Sequence, residues 1–525
     1  MSLPNSPFSD LLGTNYVPQD DERERINRFL VSPIDELRRL NHEIREVEER
    51  LHALCTQRDE LETDIGKHKA LVSLVRRLPD ELLGEIFCFC IAAYPALVDP
   101  RTPPICLGHV SREWRRVSHS TPELWSSLHV PHLGRGDFGV LEDERGRFVD
   151  LALEWVARSG SHPLYISSTL DELNTQPVQA VARHAWSHIA NLCLIFPAAV
   201  PATTVASFLQ LELPALHTLH VECHSDFGSA LWADAAVLRA PRLRVLLLRI
   251  SADAAKLVLP APSLVEFDLK CLQTREGGAD LTGGLSVHHC LDIVRRCPAL
   301  RKAVLRCTLF GSLAGTGAAA ALPPSGTPAA PSALREVHFY LGNDLPVFFA
   351  NLGLPALAHL RLTHPAMPGP DHALFFASLE PHLAVLATAE LSTAFFSNDT
   401  LLALLRATPR LRRLKLDGLR STSSATLTND MVRAACSEGF ASELEVLECG
   451  DGSISCSDKV LERFVLLRPT LVEVRVRFSR YADRDIAATP AVRARIENGL
   501  AFSARYKVTG KWHYQPASGT TLWRL

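Results

Sequence analysis

Between residues 34 and 77 apolar side chains return at alternating intervals of three and four. Leu37, Ile44, Leu51, Arg58, Ile65 and Val72 fill one position of a seven-residue repeat, and Leu40, Val47, Leu54, Leu61, His68 and Val75 fill another. Ten of these twelve positions are apolar, and the alternation is that of a coiled-coil seam. Glu, Arg and Asp crowd the remaining positions, as a solvated face requires. The pattern predicts a long helix over 33–77. It either self-associates through its seam or packs on its own domain. Gly66 is its weak point, costing about 1 kcal/mol against Ala in a helix interior. Residues 1–32 are rich in Pro, Asn, Ser and Asp and show no period, so they are expected to be disordered.

The period changes at residue 78. In LPDELLGEIFCFC, residues 78–90, Pro79 stands where a helix begins and acids fill the first turn. Leu82, Leu83, Ile86, Phe87 and Cys90 form an apolar stripe. Tyr94-Pro95 ends it, since the residue before a proline disfavours the helical region. A proline-rich loop follows. Leu107, Val110, Trp114 and Val117 then step by three, four and three, predicting a second amphipathic helix. Thr121-Pro122-Glu123 reads as cap, first residue and dipole-favouring acid of a short turn bearing Leu124 and Trp125. Residues 78–130 are thus a small helical module.

From residue 151 the texture becomes repetitive. A unit of the form L-x-x-L-x-L, often preceded by Pro and one residue, starts at 189, 216, 243, 264, 300, 334, 357, 386, 411, 444 and 471. The spacing averages about 28 residues, near the upper end of leucine-rich-repeat periods, and ranges from 21 to 36. Each unit supplies one strand and a helical or looped return. No unit can bury its apolar face alone, but stacked neighbours share one core. The prediction is an α/β protein: an N-terminal coiled-coil helix and a helical module, then an irregular leucine-rich-repeat solenoid, a horseshoe, over 151–478. The low-complexity stretch 311–332 is expected as an insertion between repeats. Residues 479–525 leave the pattern and are expected to cap the array, with YKVTGKWHYQ alternating like a strand.

Alternation along each strand separates inward from outward residues. The outward set includes His220, Glu222, Arg249, Asp268, Lys270, Arg306, His338, Tyr340, Arg361, Glu390, Lys415, Asp417, Arg475 and Arg477. Both signs of charge occur, with His and Tyr among them, which suits a protein target better than a phosphate backbone. His338, Tyr340, Arg361, Lys415 and Arg475 are the candidate target-binding residues.

Composition narrows the function. Net charge is −3 and the thirteen cysteines form no CxxC pair. Nothing favours nucleic acid or an anionic membrane, and a reducing compartment, cytoplasmic or nuclear, is expected. No secretory signal or spanning segment is expected. There is no phosphate-binding glycine loop, GxSxG or HExxH. His288, His289 and Cys290 lack a second ligand pair at zinc spacing. Cys223, Cys271 and Cys307 recur at one place in their units, as small buried side chains would. The basic run RLRRLK is interleaved by Leu411 and Leu414 at the repeat's own spacing. No enzyme, cofactor or metal site is expected.

The helical module can be placed by its residues. LPDELLGEIF, then VSREWRRV, then TPELWSSL resemble the F-box, as found in F-box-like families of fungi. Many of those carry a coiled segment before the box and leucine-rich repeats after it. The resemblance implies an adaptor without bond-making chemistry of its own. Its box would dock a Skp-type linker protein and thereby a cullin-based ubiquitin ligase, while the repeats hold the target. It implies that Leu78, Pro79, Glu81, Leu82, Ile86 and Phe87 make the first contact element, with Val110, Trp114 and Trp125 completing it or its core. An interaction scaffold without ligase docking is the alternative.

Overall fold

A computed structural model of the chain describes residues 6–91, 96–130, 142–170, 175–198, 200–225, 230–233, 235–250, 259, 263–271, 285, 287–306, 332–340, 345–363, 372–418, 426–508 and 511–514. It divides into two compact units, residues 1–85 and 86–525.

In the first unit a single helix, α1 (Asp20–Leu71), runs for 52 residues. It starts inside the stretch expected to be disordered, which corrects that expectation for residues 20–32. Apolar periodicity could not reveal the start, because polar chemistry sets it. Gln19 and Glu22 form a reciprocal capping box, and Asp20, Asp21 and Glu22 lie in the first turn, where the helix dipole favours acids. Pro33, the expected boundary, sits inside the helix. The seam residues are in register along it, and no residue of α1 is buried. The helix ends before the last seam positions, Val72 and Val75. A further helix, α2 (Asp80–Phe89), follows.

In the second unit, α3 (Arg112–His119) begins at Ser111, whose hydroxyl accepts from the Trp114 backbone N–H at 3.1 Å. A one-turn 3-10 helix, Pro122–Trp125, then leads directly into a sheet. Its first strands are β1 (Ser127–Val130), β2 (Leu164–Thr169), β3 (Ile189–Phe196), β4 (Thr218–Cys223), β5 (Val245–Ile250), β6 (Glu266–Cys271) and β7 (Lys302–Arg306). It continues as β8 (Glu336–Tyr340), β9 (His359–Thr363), β10 (Thr388–Ser392), β11 (Arg413–Asp417), β12 (Val446–Cys449), β13 (Glu473–Phe478), β14 (Ala501–Val508) and β15 (Lys511–Tyr514). Among the described residues the strands lie in sequence order. Neighbours from β1 to β14 are parallel, and β15 alone turns back antiparallel on β14. The sheet does not close on itself, and the architecture is that of a solenoid-like repeat.

Each of the eleven L-x-x-L-x-L units becomes one strand, β3 to β13, beginning at or two residues after the first apolar residue of its unit. The array is longer than 151–478, however. It begins at Ser127, inside the module expected to end at 130, and continues in parallel through β14. β1, SLHV, and β2, LYISST, carry no leucine motif. β14 presents Phe502 and Ala504 in register with Val474 and Val476, and Tyr506 in register with Phe478. Residues 479–508 therefore supply one more repeat, with helix Pro490–Glu497, before the antiparallel end strand. The insertion expected at 311–332 lies outside the described residues except for Ser332.

The core follows the predicted alternation. Leu219, Leu246, Phe267, Ala303, Val337, Leu360, Ala389, Leu414, Leu447 and Val474 all point to one side and are buried. Rings join repeats in the middle of the array. Phe339 of β8 meets Phe348 at a centroid distance of 4.7 Å, and Phe349 leads on through Phe375 at 6.1 Å to Phe395 at 5.6 Å. Burying one such ring contributes roughly 1.5–3 kcal/mol.

A second set of links is polar and also repeats. Asn398, Asn429 and Asp458 are each the first residue of a helix: Asn398–Ala407, Asn429–Glu438 and Asp458–Leu467. Each side chain accepts backbone N–H groups from the next repeat. Asn398 accepts from Thr426 at 2.9 Å, Asn429 from Ser457 at 2.8 Å, and Asp458 from Asp483 at 2.6 Å and Arg484 at 3.1 Å. At the opposite helix ends an arginine from the following repeat covers unpaired carbonyls. Arg468 donates to Ala435 and Phe440, and Arg495 donates to Val465 and Arg468.

Candidate functional site

The box candidates divide by exposure. Pro79, Glu81, Leu82, Ile86 and Val110 are exposed, Leu78 and Trp114 half-buried, and Phe87 and Trp125 buried. Burial of Phe87 removes it from the contact element, because it is spent inside the second unit, and Trp125 takes the core place that was left open for it. Phe87 packs on Trp114 with ring centroids 4.8 Å apart. Trp125 donates from its indole nitrogen to the Ser118 carbonyl at 2.8 Å. It meets Trp155 edge-on at 4.8 Å and carries the Arg158 guanidinium 4.5 Å above its ring. Trp155 and Arg158 belong to α4 (Glu142–Ser159), so Trp125 fastens the module to the start of the sheet.

The helix α2 leaves another apolar line open. Leu82, Ile86 and Phe89 follow i, i+4, i+7 spacing, which is one face of a helix, and are 49%, 46% and 89% exposed. Phe89 lies off the stripe Leu82, Leu83, Ile86, Phe87 and Cys90 that the sequence suggests. Its membership in the i, i+4, i+7 line was the signal available. A phenylalanine that open to water is costly to leave uncovered.

On the sheet, strand register brings outward candidates into one lateral row. His338 of β8 pairs with Arg361 of β9, then Glu390 of β10, Lys415 of β11, Glu448 of β12 and Arg475 of β13. Four of the five target-binding candidates therefore share this row. The fifth, Tyr340, lies on the same strand as His338, but its side chain is outside the described residues, as is that of Arg306. Charge alternates along the row from Arg361 onward. Arg361 meets Glu390 at 3.2 Å, and Arg475 meets Glu448 at 3.9 Å and also Glu473. Lys415 lies 3.7 Å from Asp417 on its own strand. Farther up the sheet, Arg249 pairs with Glu222 at 3.0 Å and Lys302 with Glu266 at 3.0 Å. This surface is a mosaic of both signs, not a stripe of one.

Two depressions lie on the row. One of about 190 Å³ is bordered by His338, Arg361, Thr388 and Glu390. A larger one of about 380 Å³ is bordered by Lys415, Glu448, Gly450, Arg475, Arg477 and Arg505. A Cβ on Gly450 would come within 2.7 Å of Asp417 Oδ1, so a larger residue there would have to turn the exposed Asp417 carboxylate aside.

His338 departs from its expected role. Though it alternates outward, it is only 6% exposed, and its Nε2 is hydrogen-bonded to Thr363 Oγ1 at 3.2 Å. Burial, helped by the charges of Arg361, Lys270 and Lys302, pushes its pKa down to about 3. It is a neutral wall of the smaller depression, not an exposed contact. The reason is local: its row neighbours are Val304 and Arg361, whose side chains leave it little access to water.

Cys193 and His220 are neighbours in the same row, Sγ to Nδ1 3.3 Å. Burial pushes the thiol up to about 11 and lowers the imidazole. Both groups are neutral near pH 7, so this is not a thiolate–imidazolium pair. His288, His289 and Cys290 lie on the helix Val287–Arg296, with Cys290 buried. Among the described residues no group of three or more His, Cys, Asp or Glu is arranged to hold a metal. No described helix is long and apolar enough to cross a membrane.

No protein-family model matches the chain, and no curated protein matches it in sequence. Among solved structures, the crystal structure of the Rad7 and Elc1 complex in yeast is similar at a TM-score of 0.40 and 14% identity, over 83% of this chain and 96% of that one.

Proposed function

We propose that the chain is a substrate-recruiting adaptor of a Skp–cullin–F-box-type ubiquitin ligase. On this reading α2 is the first helix of an F-box that docks a Skp-type linker, and the strand array is an irregular leucine-rich-repeat horseshoe whose polar face holds the target protein. The adaptor makes and breaks no bonds itself and works in the cytoplasm or nucleus.

The observation that carries the reading is the exposed line Leu82, Ile86 and Phe89 on a helix whose sequence has the F-box form. Leu83 and Phe87, one residue on, are buried at 3% and 0% exposure, so the helix has already satisfied its own core. Large apolar side chains surplus to a core are natural partner contacts. The mixed-charge row on the sheet supports a protein target, since complementary pairs can form there without a field of one sign.

Replacing Leu82 and Ile86 together by Asp tests it. Both positions are exposed, so the variant should remain folded. Burying two carboxylates against a linker would be very costly, and co-purification of a Skp-type linker should be lost. A folded variant that still captures the linker would overturn the assignment. A wild-type chain that captures none would leave the scaffold reading instead.

A further inference from the structure

The seam of α1 is open along its whole length. Leu37, Leu40, Ile44, Val47, Leu51, Leu54, Leu61 and Ile65 are between 44% and 67% exposed. Such a face needs a cover, and the sequence specifies which. We infer that α1 pairs antiparallel with α1 of a second copy of this chain. In the register of that pair Leu37 lies opposite His68, Leu40 opposite Ile65, Ile44 opposite Leu61, Val47 opposite Arg58, and Leu51 opposite Leu54.

Three features select this arrangement. First, every layer in it joins an a position of one helix to a d position of the other, as antiparallel seams do. The match extends without a break over residues 37–68, roughly 48 Å of helix at 1.5 Å per residue.

Second, the two polar seam residues, Arg58 and His68, and the weak point Gly66 all fall in the C-terminal half. A parallel pair in register would set Arg58 against Arg58 and His68 against His68, stacking like against like in two weak layers of the same half. The antiparallel pair sets Arg58 against Val47, which is flanked by Glu46 and Glu48, and sets His68 against Leu37. Each weak position then meets a strong one.

Third, Asp59, Glu60, Glu62 and Asp64 crowd one stretch. A parallel pair would face this stretch with itself. The antiparallel pair faces it with residues 41–46, where Arg45 stands among fewer acids. The antiparallel direction also sends the chains that continue beyond Leu71 to opposite ends of the pair, roughly 55 Å apart. A partner of unrelated sequence would require none of this internal complementarity.

The test uses the full chain and sedimentation equilibrium across micromolar concentrations. The wild type should dimerise. Val47→Glu places an acid opposite Arg58 twice per dimer, so its dissociation constant should equal or fall below that of the wild type. Val47→Arg places a cation there and should weaken the dimer at least tenfold. Adding Arg58→Glu to Val47→Arg should restore it. Since α1 has no buried residues, helical content should not change among the variants, and circular dichroism checks this. A monomeric wild type would overturn the inference. So would equal weakening by Val47→Glu and Val47→Arg without rescue, the behaviour of a parallel pair.

Discussion

At the scale of the residue, His338 shows how a polar side chain on the outward side of a strand can still be buried. Its folded-state pKa of about 3 lies below the value of an unperturbed imidazole. As the pH falls, the unfolded chain therefore takes up the proton before the folded chain does. Stability supplied by the neutral ring is complete above about pH 6.5 and drains away as the pH drops toward the folded value. His129, His188 and His220 are displaced in the same direction, each by burial, so the array as a whole should weaken in mild acid. His338→Gln should flatten the fall in melting temperature between about pH 6.5 and pH 4. An unchanged slope would show that groups other than His338, such as the similarly lowered His119, His129, His188 and His220, carry the acid sensitivity.

At the scale of the element, the polar links at helix ends tie the late repeats together, and they are not equivalent. Asn398 and Asn429 each satisfy one neighbouring N–H. Asp458 is fully buried, takes two backbone N–H groups, and accepts from Arg480 at 2.5 Å. Arg480 in turn lies 4.4 Å above the Phe478 ring and donates to the Cys456 carbonyl at 2.9 Å. Removing the carboxylate leaves a partly buried cation and two donors without their acceptor. Asp458→Ala should therefore cost about 3–5 kcal/mol, the range for breaking a buried pair. Asn429→Ala should cost only about 1 kcal/mol, that of an ordinary hydrogen bond. Urea unfolding followed at the C-terminal repeats would separate the two, and equal losses would mean that the Arg480 link is relieved by solvent.

At the scale of the whole molecule, the parallel strands gather residues more than a hundred positions apart, from His338 to Arg475, into one row. Arg361 and Lys415 stand two strands apart in one row, each beside an acid at the surface. Exposed pairs contribute about 0–1 kcal/mol, so Arg361→Ala with Lys415→Ala should leave the melting temperature nearly unchanged. If the row receives the target, the same variant should lose at least about tenfold in target affinity, since desolvated arginines are frequent hot spots. The target can be found by affinity purification with mass spectrometry, with and without proteasome inhibition, and its binding then measured by calorimetry. Undiminished binding would move recognition off this row.

What the sequence determined by itself was whatever repeats with a period. The L-x-x-L-x-L units located eleven strands and the side of each that is buried, because stacking demands an apolar residue at every second position. The heptad located α1 for the same reason. Elements held by other means were not legible. The start of α1 at Asp20 depends on a capping box, and β1, β2 and β14 borrow their pairing from neighbours without carrying the motif. Tertiary structure alone decided which apolar residues are surplus. Phe87 and Trp125 look like Ile86 and Phe89 in one dimension, and only packing against Trp114 and Trp155 withdraws the first two from the surface. It also decided that His338 is closed off while Arg361 is open, because access to water depends on the side chains of the adjacent strands, which lie some twenty to thirty-five residues away in sequence.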